Sequence, residues 1–404
     1  MTARTNWGIV ILMALGFGLV GIDRFMISTL FPVIAKDLHL DYGDIGTITG
    51  ALAFAWAIAA LVMGNKADRL GSGKVLAGAL FVFALLIGAS GLATGLASLI
   101  FVRVIMGFAD GAYTPASISA TIQAAVPKHH GLAIGIQQMM LPVFGLGLVP
   151  LILTGLLEVV SWRAVFVIFT LPGLALAWFV WRTLPRTPVA TAAPPQGSFA
   201  DWRQVLRYRN IRVAMLLMLC WLTCLMTTSA LLPNYLLDHV GLVFGQMGTV
   251  MSAIGIGSAI GTVLLAWLSD RLGRKTVMLI ASAGAAAALV MLHSTGAAPT
   301  QLFIWLFLVH FFNNAAITLT VGPVCAETVP PALMATASGV VIAVGEVFGG
   351  GLAPVIAGQM AKVFGIDNLL LLPMGALVLG FLLSLLLKET RPQGGFAQRG
   401  GPQR

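Results

Sequence analysis

The sequence predicts an all-α membrane protein of twelve transmembrane helices, arranged as two pseudo-symmetric six-helix bundles with both termini cytoplasmic. Three observations predict it: apolar runs of spanning length recur along the chain, basic residues gather in alternate connections, and the two halves repeat each other's loops.

Of 404 residues, 58% are hydrophobic and 9% charged, where soluble domains carry about a quarter. Mean hydropathy is +0.96, so lipid must solvate most of the chain. A helix needs about 20 apolar residues to cross a hydrocarbon core of about 30 Å. Barrel strands would be about 10 residues long and alternating in polarity, unlike these runs. The expected spans are 7–35, 45–63, 75–93, 99–124, 132–157 and 164–181, then 213–237, 247–268, 276–292, 302–325, 335–361 and 369–387. The first run follows Arg4 as a signal peptide would, but it continues through Ile27 and Leu30 without a small-residue cleavage pattern, so it reads as the first span.

The longest polar stretch separates the two sets. It holds PRTPVATAAPPQGS and the basic DWRQVLRYRNIR, which read as a linker and a short surface helix. The expected division is a bundle over 1–184, a cytoplasmic linker over 185–208, a second bundle over 209–390 and a disordered cytoplasmic tail over 391–404.

A net charge of +9 would suggest nucleic acid in a soluble protein, but here the basic residues punctuate loops. Lys66, Arg69, Lys74, Lys128, the linker arginines, Arg271, Arg274 and Lys275 fall on the side of the termini, while Lys36, Arg163 and Lys362 fall opposite. The positive-inside rule therefore makes the termini cytoplasmic and the location the inner membrane. Cys220, Cys224 and Cys325 lie inside apolar runs and read as small core residues; Cys220 and Cys224 share one helical face but have no acidic or His neighbour to complete a metal site.

Repetition points to function. GNKADRLGSGK, with Asp68 and Arg69, recurs half a chain later as AWLSDRLGRK, with Asp270 and Arg271; Pro127 in AAVPKHHGLAIG pairs with Pro330 in ETVPPALMATASG. Duplicated bundles around a midplane site are the build of a carrier. In the repeated loop, Gly permits a tight turn, and Asp with the basic residues can bond helix ends, so these four charged residues are candidate gating groups. On this motif the chain resembles the major facilitator superfamily over essentially its full length.

Ionisable residues inside spans are costly and functional by default. Asp23 and Arg24 lie in span 1, Arg103 and Asp110 in span 4, His310 in span 10 and Glu346 in span 11. Consecutive residues on a helix point about 100° apart, so Asp23 and Arg24 must face different partners; Arg103 and Asp110 share a face about 10 Å apart. With IDR in span 1 and RVIMGFAD in span 4, the chain resembles the anion:cation symporter branch, which includes bacterial sugar-acid carriers and sialin. That resemblance implies proton sites at Asp23 and Asp110 and anion-binding or gating roles for Arg24 and Arg103. The branch usually has Glu where this chain has Asp110, one methylene shorter. The physics agrees: burial favours a protonated carboxyl, a neighbouring arginine favours an ionised one, and a carboxylate solute can neutralise arginines whose own partners have taken up protons.

Glu346, in VVIAVGEVFGGGLAP, is a third proton site, a substrate contact, or a carboxyl bonded to a neighbouring helix. Further candidate substrate contacts are Trp56, Gln137, Gln138, Asn313 and Asn314, with Asn234 and Tyr235 in PNYL, a segment resembling the superfamily's broken seventh helix. The scarcity of polyol-binding side chains favours an aromatic carboxylate over a sugar acid.

The expected activity is proton-coupled uptake of a small organic carboxylate by a monomer embedded in the bilayer, driven by the proton gradient without a cofactor and without nucleic acid. A proton-driven exporter of drugs or metabolites is the alternative, disfavoured because span 5 lacks a Gly-Pro step. A membrane sensor or enzyme is remote, since no HExxH, GxSxG or Cys cluster occurs.

Overall fold

The computed structural model describes residues 5–70, 72–126, 129–184, 199–330 and 333–390, with the side chains at 60–70, 72, 74, 115, 199–201 and 335 left aside. The described backbone is helical and holds no strand. The first half runs through α1 (Trp7–Leu38), α2 (Tyr42–Leu70), α3 (Ser72–Ser90), α4 (Leu96–Ala124), α5 (His130–Leu156) and α6 (Trp162–Thr183). The short α7 (Phe199–Val205) follows. The second half comprises α8 (Arg209–His239), α9 (Phe244–Leu272), α10 (Arg274–His293), α11 (Pro299–Thr328), α12 (Met334–Val344 continuing through Gly345–Leu352 to Ala353–Phe364) and α13 (Leu371–Leu385). Among the described residues, ten of these helices are long and apolar enough to cross a membrane.

Local chemistry sets the helix ends. The Asn6 side chain accepts from the Ile9 N–H to start α1, and Ser161 does the same for Ala164 at α6. Gly273, at φ +98°, ends α9, the turn expected of the glycine in its DRLG motif, and Gly365, at φ +93°, ends α12. The expected surface helix at 201–212 is divided: α7 stops at Val205 and Arg209 already opens α8. Asn210 fixes that start by donating to Lys388 O and accepting from Lys388 N, both at 3.0 Å.

Packing follows the sequence repeat. α2 lies along α4 as α9 lies along α11, α3 along α6 as α10 along α13, and α1 along α5 as α8 along α12. The seams between the halves repeat as well. VFGLGLVP at 143–150 recurs as VFGGGLAP at 347–354. Gly46 of α2 packs against the Pro354 carbonyl of α12, and Gly248 of α9 against the Pro150 carbonyl of α5, so closely that a Cβ at either glycine would collide.

Four helices widen locally into π-turns: Val143–Leu148, Tyr235–His239, Thr320–Val324 and Gly345–Leu352. Each lies beside or around a proline, which withholds an N–H from the ladder and leaves a carbonyl to be bonded in a wider turn. The segment expected to break at Pro233 is therefore a continuous helix with a π-turn directly after Asn234.

Candidate anion and proton site

The consecutive charges of α1 diverge as helix geometry requires. Asp23 turns towards α4, where its Oδ2 accepts from Arg103 Nη1 at 2.8 Å; both side chains are 1% exposed. The same Nη1 donates to Asp23 O at 3.2 Å. Arg24 turns to the second half: its Nη2 donates to Glu346 Oε2 of α12 at 2.6 Å and approaches Met226 Sδ of α8 at 3.9 Å.

Each pair has a distinct electrostatic character. Asp23–Arg103 braces two helices of one half, while Arg24–Glu346 bridges the halves and must change whenever they part. Arg103 Nε, Arg103 Nη2 and Asp23 Oδ1 are buried without a hydrogen-bond partner. Buried unmade donors cost more than the bond they would form, so the site holds guanidinium N–H groups that a ligand oxygen would satisfy.

Asp110 is 2% exposed, with Oδ1 buried and unpartnered. It lies within electrostatic reach of Arg24, Asp23 and Glu346. The site thus gathers Asp23, Asp110 and Glu346 against Arg24 and Arg103, a surplus of one negative charge when all are ionised.

Arg24 and Arg103 line one cleft between the halves, with Ser28, Thr49, Met226 and Ser229. Its free volume is about 20 Å³, room for about one water molecule. In this conformation the charged groups close upon each other. Ser28 and Ser229 stand four residues before Pro32 and Pro233 in the paired helices α1 and α8. Sequence reasoning passed over these serines, since a single hydroxyl in an apolar run also bonds its own helix, as Ser229 does to Leu225 O at 2.6 Å.

The other candidate contacts lie elsewhere. Gln137 is fully buried as a clamp between α5 and α4: it accepts from Thr121 Oγ1 and donates to Ser117 Oγ, both at 2.7 Å. Gln138 is exposed and Trp56 half-buried; neither lines the cleft. Asn313 donates to Trp221 O of α8 at 3.1 Å and Asn314 to Ser258 of α9 at 2.6 Å, so both tie helices of the second half. Asn234 is buried 3.5 Å from Asp238, Tyr235 packs on His239, and His310 bonds Thr228 at 3.2 Å.

Of the gating candidates, the Asp68 and Arg69 side chains lie outside the described residues. Asp270 accepts from Arg274 at 2.5 Å, and Arg274 reaches Glu327 of α11 at 2.9 Å. Arg271 instead stacks on Trp267 with its guanidinium 4.1 Å from the ring centroid. The residue that joins α10 to α11 is therefore Arg274, which sequence inspection placed only among the loop cations.

The family model described as the Major Facilitator Superfamily matches residues 13–346 and 226–403. The chain belongs to this superfamily. Its members are multi-pass membrane transporters of small solutes rather than enzymes, and need no cofactor. Among the described residues of this superfamily member, no group of three or more His, Cys, Asp or Glu converges to hold a metal ion. The chain is 28% identical over 332 residues to the 3-(3-hydroxy-phenyl)propionate transporter of Escherichia coli strain K12, covering 81% of this chain and 80% of the relative. It is 26% identical over 362 residues to the sialic acid transporter NanX of the same organism, covering 87% and 86%. A solved bacterial homologue of the human lysosomal transporter Spinster, in an inward-facing and occupied conformation, superposes with a TM-score of 0.81 at 17% identity, covering 96% and 97%. At that identity the likeness concerns the fold.

Proposed function

We propose that this chain carries a small organic carboxylate into the cell together with protons, by alternating access of two six-helix bundles in the cytoplasmic membrane. The observation that carries this reading is the cleft between the halves, lined by Arg24 and Arg103, with the buried Asp110, its Oδ1 unpartnered, within electrostatic reach of Arg24. An unpaired charge at mid-bilayer costs a few kcal/mol or more. A positive site for a carboxylate and an acid that takes up a proton therefore lower each other's cost of crossing.

Relatives that transport 3-(3-hydroxy-phenyl)propionate and sialic acid support a carboxylate, the former in line with the aromatic preference expected from the scarcity of polar cleft residues. Asp23, Asp110 and Glu346 are the proton-accepting groups, and Arg24 and Arg103 the anion-binding ones. A cationic drug would meet Glu346 already occupied by Arg24, and two guanidinium groups in the cleft oppose its charge.

The polar contacts described between the halves run from Arg24 and Glu346 to the end of the molecule away from the termini. There Lys362 meets Asp41 at 2.8 Å and Tyr42 donates to Asp238 at 3.0 Å. With cytoplasmic termini, this is a conformation sealed on the outer side, acting as a monomer.

The test is uptake into proteoliposomes of aromatic carboxylates and sugar acids, beginning with 3-(3-hydroxyphenyl)propionate and sialic acid, with and without an imposed pH gradient. Accumulation that collapses with the gradient and is lost in Arg103→Ala is expected. Uptake of no carboxylate, or accumulation indifferent to the gradient, would refute the reading.

A further inference from the structure

We infer that Glu346 is a built-in stand-in for the transported carboxylate: it holds Arg24 when the carrier is empty, and must take up a proton and let go before the substrate can bind. The inference rests on the reading of the cleft as a carboxylate site and adds the competition that couples proton to anion.

Three features of the cleft support it. Glu346 reaches Arg24 from the opposite half at 2.6 Å, as a ligand carboxylate would approach an arginine. Its Oε2 lies against Gly350, where a Cβ would stand 2.6 Å from that oxygen and 3.7 Å from Arg24 Nη2. The absence of a side chain at Gly350 thus leaves room for the carboxylate and guanidinium to meet. The remaining space, about 20 Å³, admits no second carboxylate with an organic body. Glu346 and the substrate cannot both occupy Arg24.

The groups around Glu346 settle the charge count. From α1 it faces Arg24, and from α4 Asp110 lies within electrostatic reach. Along its π-segment α8 packs with Met218, Leu222 and Thr223, and α2 with Phe54, none of them ionisable. With Asp23–Arg103 and Arg24–Glu346 paired, one proton on Asp110 makes the empty cluster neutral. A bound monoanion adds one negative charge, and neutrality returns when one further proton sits on Glu346. The proton comes from the aqueous side open to the cleft, and the Arg24 N–H groups pass from Glu346 to the substrate carboxylate. One proton thus accompanies each monoanion, and the step is electroneutral.

The experiment compares the full-length carrier with Glu346→Gln and Glu346→Asp in proteoliposomes, using 3-(3-hydroxyphenyl)propionate or whichever carboxylate of the panel the parent accumulates. Glu346→Gln removes the competing carboxylate from Arg24, so anion affinity should rise on the order of tenfold, the gain expected when a competitor leaves only about a tenth of the carriers able to bind. Its pH dependence should flatten. The empty variant leaves Arg24 unpaired and reorients poorly, so gradient-driven accumulation should be lost while exchange of internal for external anion persists. Glu346→Asp, one methylene shorter, should keep coupling and bind the anion more tightly than the parent. It serves as the reading if the Gln variant does not fold. In the parent, a membrane potential imposed without a pH gradient should drive no accumulation.

Parent-like accumulation and pH-dependent affinity in both variants would overturn the competition while leaving proton-coupled carboxylate uptake standing. Loss of exchange in a folded Glu346→Gln carrier, or potential-driven accumulation by the parent, would also overturn it. A parent that transports no carboxylate at all fails the underlying reading instead.

Discussion

The two halves of the molecule share their packing and differ in their charges. α1 carries Asp23 and Arg24, and α4 carries Arg103 and Asp110, while the paired helices α8 and α11 hold Thr228, His310 and Asn313 in neutral hydrogen bonds. Met226, half a chain from Arg24, gives it only a sulfur at 3.9 Å. Among the described residues, the carboxyl of the second half that pairs with this charged wall is Glu346, which meets Arg24. The difference teaches that duplication supplied two scaffolds but one charged wall. The second half acts on that wall through one acid, on a π-widened segment between two glycine-lined seams.

The sharpest way to break the comparison is to remove the pair that exists in only one half. Asp23→Asn leaves Arg103 buried and uncompensated, and should destabilise the protein by roughly 3–5 kcal/mol. Denaturation in detergent would show it, and a loss below about 1 kcal/mol would mean the pair does not brace the first half. The equivalent neutral contact offers the control: Asn313→Leu, which removes a bond to the Trp221 carbonyl, should cost only about 1–3 kcal/mol.

Arg24 tests whether the charged wall binds the solute. Arg24→Met removes charge-assisted bonds worth about 1.5–3 kcal/mol each, so carboxylate affinity in equilibrium binding should fall by about tenfold to a hundredfold or more. Met226→Leu, on the neutral wall, should leave it within about twofold.

The seams sharpen the comparison further, because they are alike where the walls are not. Gly46→Ala and Gly248→Ala each overpack a joint between the halves, and should disfavour this conformation by about 1–3 kcal/mol. Spin-label distances across each seam should lengthen to a similar degree. Opening by one variant alone would show that the seams are unequal.

The smallest effect is expected at the outer rim. Lys362 and the N–H groups of Gly43 and Asp44 hold the Asp41 carboxyl below the usual carboxylate range. A depressed acid contributes its stabilisation above its unfolded value and loses it as the pH falls through the lower folded one. Both side chains are about half exposed, where solvent screens the pair. Lys362→Ala should leave the denaturation midpoint unmoved at neutral pH and speed exchange between conformations slightly, and that increment should vanish in strong acid or high salt.

Much of the architecture was legible in the chain. Apolar runs of spanning length become helices because lipid offers the backbone no other hydrogen-bond partners. The expected spans coincide with helices α1 to α6 and α8 to α13 to within a few residues at their ends, and among the described residues ten of these are long and apolar enough to cross a membrane. Repeated DRLG loops announced repeated packing, and the turn at Gly273 took the positive φ its glycine permits.

Within the site, the sequence by itself determined which charges would stand at mid-membrane and that Asp23 and Arg24 could not serve one partner, because helix periodicity fixes the direction of consecutive side chains. Only the tertiary structure decided that Asp23 takes Arg103 and Arg24 takes Glu346, since those partners come from helices whose rotation about their own axes is set by packing. For the same reason Gln137, Asn313 and Asn314, polar in lipid and indistinguishable in sequence from substrate contacts, were spent holding helices together. A polar group buried in a membrane must find some partner, and composition cannot tell whether that partner is a neighbouring helix or a passenger.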